Sequence, residues 1–281
     1  MAAKKHIFKK ICIILGSILF VAGCALFVFG MSKENWDFNK LSTVNYQTKT
    51  YIQGEEEISS LRIDFENADI DLSVSSQTDK ITVEYPQRVD PNGKEINSVK
   101  ITTTGGQLQI IEPEQKFELI AWNFKTPKVK IVLPDTVLNT IILNTENGDI
   151  SVKGASLSLS LNVESDNGDI RISDVIAENG ITLATDNGDI FLSTLKTNEL
   201  KLETENGDIL SGTGNIDASI ILAETDNGDV KLTLTGKQTD YAISAHTHLG
   251  SCNVSNSSEG NRKLTVRTDL GDIKIYFSES V

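Results

Sequence analysis

The chain has 281 residues, of which 39 are acidic and 26 are basic, so its net charge is −13 at neutral pH. A chain this acidic is not expected to bind nucleic acid, because a polyanion is attracted to surfaces rich in lysine and arginine. Apolar residues make up 39% of the sequence, which is enough for a hydrophobic core and argues against global disorder.

The charge is divided unevenly between an N-terminal tail and the rest of the chain. Residues 1–10 form a short basic tail that contains four lysines and no acid, and residues 11–30 carry no charge. As a helix, this uncharged segment would be about 30 Å long, which matches the hydrocarbon thickness of a bilayer. Lysines before the span favour a cytoplasmic N-terminus. The sequence therefore predicts a single-pass membrane protein anchored through residues 11–30, with residues 31–281 extracellular at a net charge of −17.

Two other fates of this segment stay open. A cleaved signal peptide has a shorter apolar core, of about 7–15 residues, followed by a cleavage site with small residues. The motif Val21-Ala22-Gly23-Cys24 resembles a bacterial lipobox, in which Cys24 would be lipidated and become the new N-terminus. The residues after Cys24 stay apolar, however, whereas lipoproteins usually turn polar there. Cys252 is the only cysteine beyond the span, so no intramolecular disulfide is expected in the external part.

The first external residues are less regular than those that follow. Residues 31–57 are polar and poorly patterned, which predicts a spacer. Residues 58–143 are predicted to form a less regular β region that caps a repeat, and Glu66-Asn67-Ala68-Asp69 echoes that repeat with alanine in place of glycine. The strand candidates here are Leu61–Phe65, Ile70–Val74, Ile81–Tyr85, Val99–Thr103, Leu108–Ile111 and Val129–Leu133.

Residues 144–281 repeat one phrase, which consists of an acid, Asn-Gly-Asp and an aliphatic residue. The glycines of its five close copies are spaced by 20, 20, 19 and 21 residues. A divergent copy of the phrase occurs at Asp269-Leu270-Gly271-Asp272, and a degenerate copy, Leu249-Gly250-Ser251, lies in the gap before it. A fixed period of this length is typical of a repeat architecture.

The pattern around each phrase alternates apolar and polar residues, which indicates strands with one buried face. The predicted fold class is all-β: a β-solenoid-like stack of coils of about 20 residues, after one N-terminal transmembrane helix. A repeated-hairpin β-sandwich is the alternative, because Asn-Gly is also the strongest signal for a tight hairpin turn.

Turn chemistry explains the repeated residues. Glycine adopts positive φ freely and asparagine tolerates it, so Asn-Gly would form one corner of each coil. The aspartate that follows would accept a hydrogen bond from the backbone of its own turn. The predicted turn residues are Asn147, Gly148, Asn167, Gly168, Asn187, Gly188, Asn206, Gly207, Asn227 and Gly228.

Stacked corners would also stack their acids. Equivalent carboxylates of neighbouring coils would lie about 5 Å apart and repel one another. Either the side chains reach into water and bond to backbone, or cations neutralise the column. Calcium prefers oxygen ligands and is the one cofactor that the pattern suggests. The residues of this speculative cation ladder are Asp149, Asp169, Asp189, Asp208 and Asp229.

The sequence contains no nucleophile elbow, phosphate-binding loop, zinc-protease motif or dinucleotide fingerprint, so we expect no enzyme activity. His246 and His248 would share one face of a strand and could bind a metal together, although two solvent-facing histidines is the simpler interpretation. One apolar stretch would either pack over the end of the core or contact a partner or the bilayer. It contains Phe117, Leu119, Ile120, Trp122 and Phe124.

The whole layout resembles a family of bacterial cell-envelope proteins described as adhesins and sometimes called LiaG-like. The basic tail with one span, the strand Val129–Pro134 and the Asn-Gly-Asp repeats carry this resemblance. It implies an external β-repeat domain of a Gram-positive bacterium, in some cases associated with an envelope-stress response, and it supplies no catalytic residues.

The predicted function is that of a non-catalytic, membrane-anchored adhesin or surface-binding scaffold of the bacterial envelope. Its partners would be the cell membrane and a surface protein, a wall polymer or a cationic peptide. The alternative is an accessory protein of a cell-envelope stress response, which senses wall damage or cationic peptides. Such sensing would pass through a partner, because ten residues before the span are too few for a signalling domain.

Overall fold

A computed structural model describes residues 2–37, 44–90, 92–114, 126–212 and 214–278. The chain divides into one unit that contains a long helix and a second unit that contains all twenty described strands. The apolar stretch at residues 117–124 lies outside the described residues.

Helix α1 spans Ala2–Lys33 and continues past the predicted end of the span at residue 30. The side chains of residues 13–30 are all exposed, as expected of an apolar helix without a polar stripe. Among the described residues, only this helix is long and apolar enough to cross a bilayer, from Ile13 to Lys33. A signal sequence near the N-terminus can meet the same criteria of length and composition.

The β unit contains twenty strands among the described residues. The strands before the regular repeats are β1 (Asn45–Ile52), β2 (Ser60–Phe65), β3 (Asp69–Ser75), β4 (Thr82–Val89), β5 (Lys100–Thr104), β6 (Gln107–Ile111) and β7 (Lys128–Pro134). The next strands are β8 (Leu138–Asn147), β9 (Ile150–Lys153), β10 (Ser156–Asn167), β11 (Ile170–Ser173), β12 (Val175–Asn187), β13 (Ile190–Leu192) and β14 (Leu195–Asn206). The last strands are β15 (Ile209–Ser211), β16 (Ile216–Asn227), β17 (Val230–Thr235), β18 (Tyr241–Leu249), β19 (Arg262–Leu270) and β20 (Ile273–Ser278).

The strands form two rows, and parallel pairing dominates both. The first row has the spatial order β5, β6, β2, β8, β10, β12, β14, β16, β19, β18. The second row has the order β1, β4, β7, β3, β9, β11, β13, β15, β17, β20. Among the described strands, only the pairs β1–β4, β4–β7 and β5–β6, which lie at one end of the rows, are antiparallel.

One turn of the chain through both rows makes one coil. In the coil of β11 and β12, a short strand is followed by a long strand that bends where its pairing register shifts, between Ala177 and Gly180. The inward residues Ile170, Ile172 and Leu183 are each at most 2% exposed, and the same positions are aliphatic in neighbouring coils. Each such side chain contributes roughly 1.5–3 kcal/mol by burial. The core is therefore a series of aliphatic layers, one for each coil.

The pairing of the strands distinguishes between the two predicted architectures. The β-solenoid is confirmed, since residues about 20 apart pair in parallel throughout the centre, as Val163 does with Leu183. The hairpin sandwich is wrong, because no two described strands joined by Asn-Gly pair antiparallel. They belong to different rows, and β16 and β17 meet only in parallel, at Ile216 and Leu234. All six strand candidates between residues 58 and 133 are strands.

The spacer predicted for residues 31–57 is wrong in part. Residues 45–52 form β1, which pairs along its whole length with β4. The sequence hides this strand because an edge strand that is covered on one face needs few apolar residues.

The C-terminal end departs from chain order. The coil of β19 and β20 lies directly against β16 and β17, and β18, which comes earlier in the chain, lies outside it. The degenerate copy at Leu249-Gly250-Ser251 is thus the outermost corner of the stack, beyond Gly271.

Candidate functional site: the corner column

The repeated phrases stack into one column of corners, which we call the corner column. Consecutive corners are joined by the same hydrogen bonds, whether they are 20 residues apart or 43. In spatial order the corners are residues 66–69, 146–149, 166–169, 186–189, 205–208, 226–229, 269–272 and 248–251.

The glycine of each corner is required by close packing of backbone. A Cβ atom on Gly168 would lie 2.0 Å from the carbonyl oxygen of Gly148, and one on Gly188 would lie 2.1 Å from that of Gly168. None of the five repeated glycines has a positive φ, and neither do the asparagines before them. The prediction that Asn-Gly serves positive φ is therefore wrong. Glycine is needed because neighbouring corners touch through their main chains.

The threonine or serine at the start of each phrase has a role that sequence reasoning missed. The hydroxyl of Thr204 is buried and donates to the carbonyl of Gly188 at 3.0 Å, and Thr185 does the same to Gly168. The equivalent donors elsewhere in the column are Thr145, Ser165, Thr225, Thr268 and Thr247. Every copy has a hydroxyl side chain at this position in the sequence. Its hydrogen-bond partner, a carbonyl of the neighbouring corner, is defined only when the coils are stacked.

The asparagines form a ladder of side-chain amides. Nδ2 of Asn187 donates to Oδ1 of Asn167 at 3.0 Å, and its own Oδ1 accepts from Nδ2 of Asn206 at 3.1 Å. The ladder runs from Asn67 to Asn227. At the next corner Leu270 replaces the asparagine, so the ladder ends there.

The aspartates form a second ladder, but through the backbone of the next coil. Oδ1 of Asp169 accepts from the main-chain N–H of Asp189 at 2.9 Å, and Oδ1 of Asp189 accepts from that of Asp208 at 2.8 Å. The prediction that each aspartate bonds to its own turn is therefore wrong. A carboxylate that accepts backbone N–H bonds keeps its charge at lower cost, which is how the column tolerates stacked acids.

Basic side chains reach the second oxygen of some of these carboxylates. Arg171 bonds to Oδ2 of Asp169 at 2.7 Å and lies 3.5 Å from that of Asp149. At the end of the column Lys274 bonds to Asp272 at 2.9 Å. This bond, together with the N–H and hydroxyl of Ser251, lowers the pKa of Asp272 to about 2.

The speculative calcium ladder stays a prediction. Within the described residues, no group of three or more histidine, cysteine or acidic side chains is placed to hold one metal ion. His246 and His248 are both exposed on β18. Cys24 is exposed on α1, as its role as a lipidation site would require, and that role is not tested by this geometry.

The outer face of the first row is acidic. Three basic residues there form ion pairs along their own strands, Arg62 with Asp64, Lys201 with Glu203 and Arg267 with Asp269. The acids outnumber the basic residues of the face, which also include Lys100 and Lys263. Those of the first row and its corners include Asp64, Glu66, Glu146, Glu164, Asp166, Asp186, Glu203, Glu205, Glu224 and Asp226.

A cleft of about 690 Å³ opens on this face near β2, β8 and β10. Burial raises the pKa of Glu146, and the nearby charges of Glu66, Asp166, Asp64 and Glu114 raise it further. The acids of the cleft lining are Asp64, Glu66, Glu112, Glu114, Glu146, Glu164 and Asp166, beside one basic residue, Lys100.

The outer face of the second row has the opposite sign. Its charged side chains are mostly basic, beside the acids Asp71 and Glu84, and one of the basic residues, Arg171, also stacks on the ring of Phe191 at 4.8 Å. The basic residues of this face are Lys128, Lys130, Lys153, Arg171, Lys231 and Lys274. The two outer faces of the solenoid therefore differ in charge, a property that the net charge of the chain conceals.

These observations define a class: a repeat protein whose coils stack as a parallel β-solenoid around a hydrogen-bonded corner column. The family model of the Toastrack DUF4097 domain matches residues 58–278, and the chain belongs to this family. The predicted resemblance to an adhesin-like β-repeat family is thereby confirmed.

Several solved structures are similar to the chain at low identity. One is a putative adhesin from Bacteroides fragilis, with a TM-score of 0.49 and 17% identity over 82% of this chain and 97% of that chain. A putative adhesin from Parabacteroides distasonis has a TM-score of 0.44 and 14% identity over 84% of this chain and 97% of its own. A putative cell adhesion protein from Clostridium sporogenes has a TM-score of 0.38 and 13% identity over 83% of this chain and 100% of its own. No curated protein matches the chain.

Proposed function

We propose that the chain is a non-catalytic scaffold of the bacterial cell surface, anchored in the membrane by residues 11–30, which binds a positively charged partner along its first-row face. The anchor is supported by the uncharged span and by the four lysines before it. The β unit would then lie outside the cell, where a stack of repeated faces suits multivalent binding.

The observation that carries this proposal is the acidic first-row face with its cleft. Seven carboxylates and one lysine line the cleft, so its potential attracts cations. Repetition extends the same sign along neighbouring coils, and an extended cationic segment could contact several of them at once.

The cleft supports binding better than catalysis, for a chemical reason. An active site needs a convergent set of groups with different roles, such as an acid, a base and a nucleophile. The cleft instead offers one repeated kind of group, and the corner hydroxyls are buried donors to carbonyl oxygens.

The alternative function is that of an accessory protein of an envelope-stress response, in which the ligand is a cationic antimicrobial peptide. The position of Glu146 supports this version: burial first, and then the neighbouring carboxylates, raise its pKa, and an arriving cation would relieve the repulsion among these carboxylates. We propose that the signal crosses the membrane through a partner protein.

The test is binding of a fluorescent cationic peptide to the full chain in lipid nanodiscs, over a range of salt concentrations. Glu146→Gln, Glu164→Gln and Asp166→Asn together should weaken binding at low salt by about tenfold or more, and added salt should remove the difference. The matched control removes three exposed charges away from the cleft: Asp135→Asn, Glu178→Gln and Glu259→Gln.

The possible results separate the two functions and can reject both. Equal losses in both triple variants would show attraction by net charge alone and would reject the cleft. Binding of purified cell walls but not of the peptide would favour the scaffold over the peptide sensor. The mass of the chain extracted from membranes would test the anchor, since cleavage or lipidation at Cys24 changes it.

A further inference from the structure

Seven Asn-Gly dipeptides occur in the sequence, and five of them are corners of the stack. Asn-Gly is especially prone to spontaneous deamidation, because glycine leaves the attacking main-chain nitrogen unhindered. We propose that the stack protects these five asparagines chemically, so that they are latent modification sites that react only when neighbouring coils separate.

The reaction needs no reagent other than water. The main-chain nitrogen of the glycine loses its proton and attacks Cγ of the asparagine. A bond from that nitrogen to Cγ forms, the bond from Cγ to Nδ2 breaks, and ammonia leaves with the proton. Water then opens the resulting succinimide at either carbonyl, which gives aspartate or isoaspartate.

The attacking nitrogen is held in every one of the five corners. The N–H of Gly188 donates to the carbonyl of Asn206 at 3.1 Å, across to the next coil. The N–H of Gly228 donates in the same way to Leu270 at 2.9 Å. The other three glycine N–H groups, those of Gly148, Gly168 and Gly207, make the same bond at 3.0 Å.

The attacked side chain is held as well. The amide of Asn187 is bonded on both sides, through Nδ2 to one coil and through Oδ1 to the next. Rotation of Cγ toward the glycine nitrogen would break both bonds, in addition to the bond of the nitrogen itself. Since each bond is worth about a factor of five, three of them should slow the reaction roughly 100-fold.

Exposure to solvent does not explain the difference that we expect. The corner asparagines are exposed, and so are Asn92 and Asn179, which precede the other two Asn-Gly glycines. Gly93 bonds only within its own turn, to Asp90, and has a φ of +81°. Asn179 lies at the bend where the register shifts. Asn92 therefore serves as an internal reference in the same molecule.

The ladder has one weak end. Asn227 donates to Asn206 at 2.9 Å, but the next corner offers Leu270, whose side chain cannot donate to its Oδ1. Among the five corners, Asn227 should therefore convert first.

The product would not fit the folded stack. An aspartate in the ladder loses the Nδ2 donor and places a carboxylate against the neighbouring Oδ1. An isoaspartate adds a methylene group to the main chain, at a corner where even a Cβ atom on Gly188 would lie 2.1 Å from a carbonyl oxygen. Conversion would thus prevent the coil from closing again, so one opening event leaves a permanent mark.

The test compares the native and the unfolded full chain. The protein in lipid nanodiscs and the same protein in urea, with loss of structure verified by circular dichroism, are incubated at mildly alkaline pH. Peptide mapping by mass spectrometry then gives the deamidation rate at each Asn-Gly, and hydroxylamine cleavage detects the succinimide.

We expect the four corner asparagines that make both amide bonds to convert about 100-fold more slowly in the native protein than in urea, and Asn227, which makes one, about 25-fold more slowly. Asn92 should change only a few-fold between the two arms, and in urea all seven sites should react at similar rates. Native corner rates equal to that of Asn92, or corner rates unchanged by urea, would overturn the proposal.

A variant tests the ladder itself. Leu270→Asn supplies the missing donor and should slow the conversion of Asn227 a few-fold in the native protein, whereas Leu270→Ala should not. If Leu270→Asn folded normally and left Asn227 as reactive as before, the side-chain part of the proposal would be wrong. If it failed to fold, the comparison of native and unfolded wild-type chains would still decide the main claim.

Discussion

The centre of the stack and its C-terminal end make the same backbone contacts with different side chains. In the centre, each corner meets a near-identical corner about 20 residues away, and one set of side chains serves every coil. At the end, the corner of Gly228 meets that of Gly271, which is 43 residues away, through the same pattern of main-chain bonds. Two neighbouring corners therefore make the same main-chain contacts whether or not they follow each other in the sequence.

The end needs side chains of its own to stop the stack. The amide of Asn253 bonds to both the N–H and the carbonyl of Ile275 on the edge of β20. Oδ1 of Asn256 accepts from the N–H of Ala245 on the edge of β18. These side chains occupy backbone groups that would otherwise be open to pairing with another strand.

A second cluster fixes the reversed order of the last coils. The hydroxyl of Tyr241 donates to the carbonyl of Thr235 at 2.8 Å, and Arg262 bonds to Tyr241 and to Asp217. This cluster ties the first residues of β18 and β19 to the strands before them. Repetition thus specifies the centre, whereas single residues specify the end.

The largest effect should come from filling the space between two central corners. Gly188→Ala would place Cβ 2.1 Å from the carbonyl oxygen of Gly168, so the coils must separate. We expect a loss of about 3 kcal/mol or more in the free energy of unfolding, measured by urea denaturation.

The matched control is Gly180→Ala, in the coil that ends at this corner. There the added Cβ would lie 3.6 Å from the carbonyl oxygen of Glu199, which is ordinary contact. The change should stay within about 1 kcal/mol. Equal losses in both variants would show that close approach is not the reason for the repeated glycine.

A smaller effect should follow from removal of a buried hydroxyl. Thr204→Val keeps the shape of the side chain but deprives the carbonyl of Gly188 of its donor, which should cost about 1–2 kcal/mol. Thr182→Val, on the outer face of the neighbouring strand β12, should change stability by about 0.5 kcal/mol at most.

The end of the stack offers a direct comparison for this prediction. Thr247 makes the equivalent bond to Gly271 but is half-buried, so Thr247→Val should cost less than Thr204→Val. A larger cost at position 247 would contradict the view that burial sets the value of this bond.

The ladder of asparagine amides should contribute less to the free energy of unfolding. Each asparagine should contribute in proportion to the number of amide bonds that it makes. Asn187→Leu, which copies the natural residue at position 270, breaks two amide bonds and should cost about 1 kcal/mol. Asn227→Leu breaks one and should cost about half as much. Thermal unfolding of both variants would measure the ratio, and equal costs would argue against an additive ladder.

The sequence predicts the centre of the stack well but not its C-terminal end. Periodicity predicted the solenoid and the identity of the corner residues, because equal environments select equal side chains. It could not predict why glycine is needed, since the close approach of two corners exists only after stacking. It also could not place β18 outside β19, because the contacts of Arg262 and Tyr241 occur once and leave no pattern.

The smallest effect concerns pH at the contact between the last two corners, residues 269–272 and 248–251. The bond from Lys274, helped by the N–H and hydroxyl of Ser251, lowers the pKa of Asp272 from 3.8 to about 2. A carboxyl with a lowered pKa in the folded state stabilises that state fully above its unfolded pKa and loses this contribution as pH falls toward its folded pKa. The contact between β18 and β20 should therefore weaken between pH 3.8 and about 2.

The measurement must be local, because many other carboxyls titrate in the same range. Hydrogen exchange at the N–H of Ser251, which donates to Asp272 at 2.8 Å, reports this contact alone. Its protection should fall over that range in the wild-type chain. In Asp272→Asn the side chain keeps an acceptor oxygen but does not titrate, so the local pH dependence should disappear. If the local pH dependence persisted in this variant, titration of other acids would be opening the contact. The last corner would then be held by main-chain bonds, as the corners of the centre are.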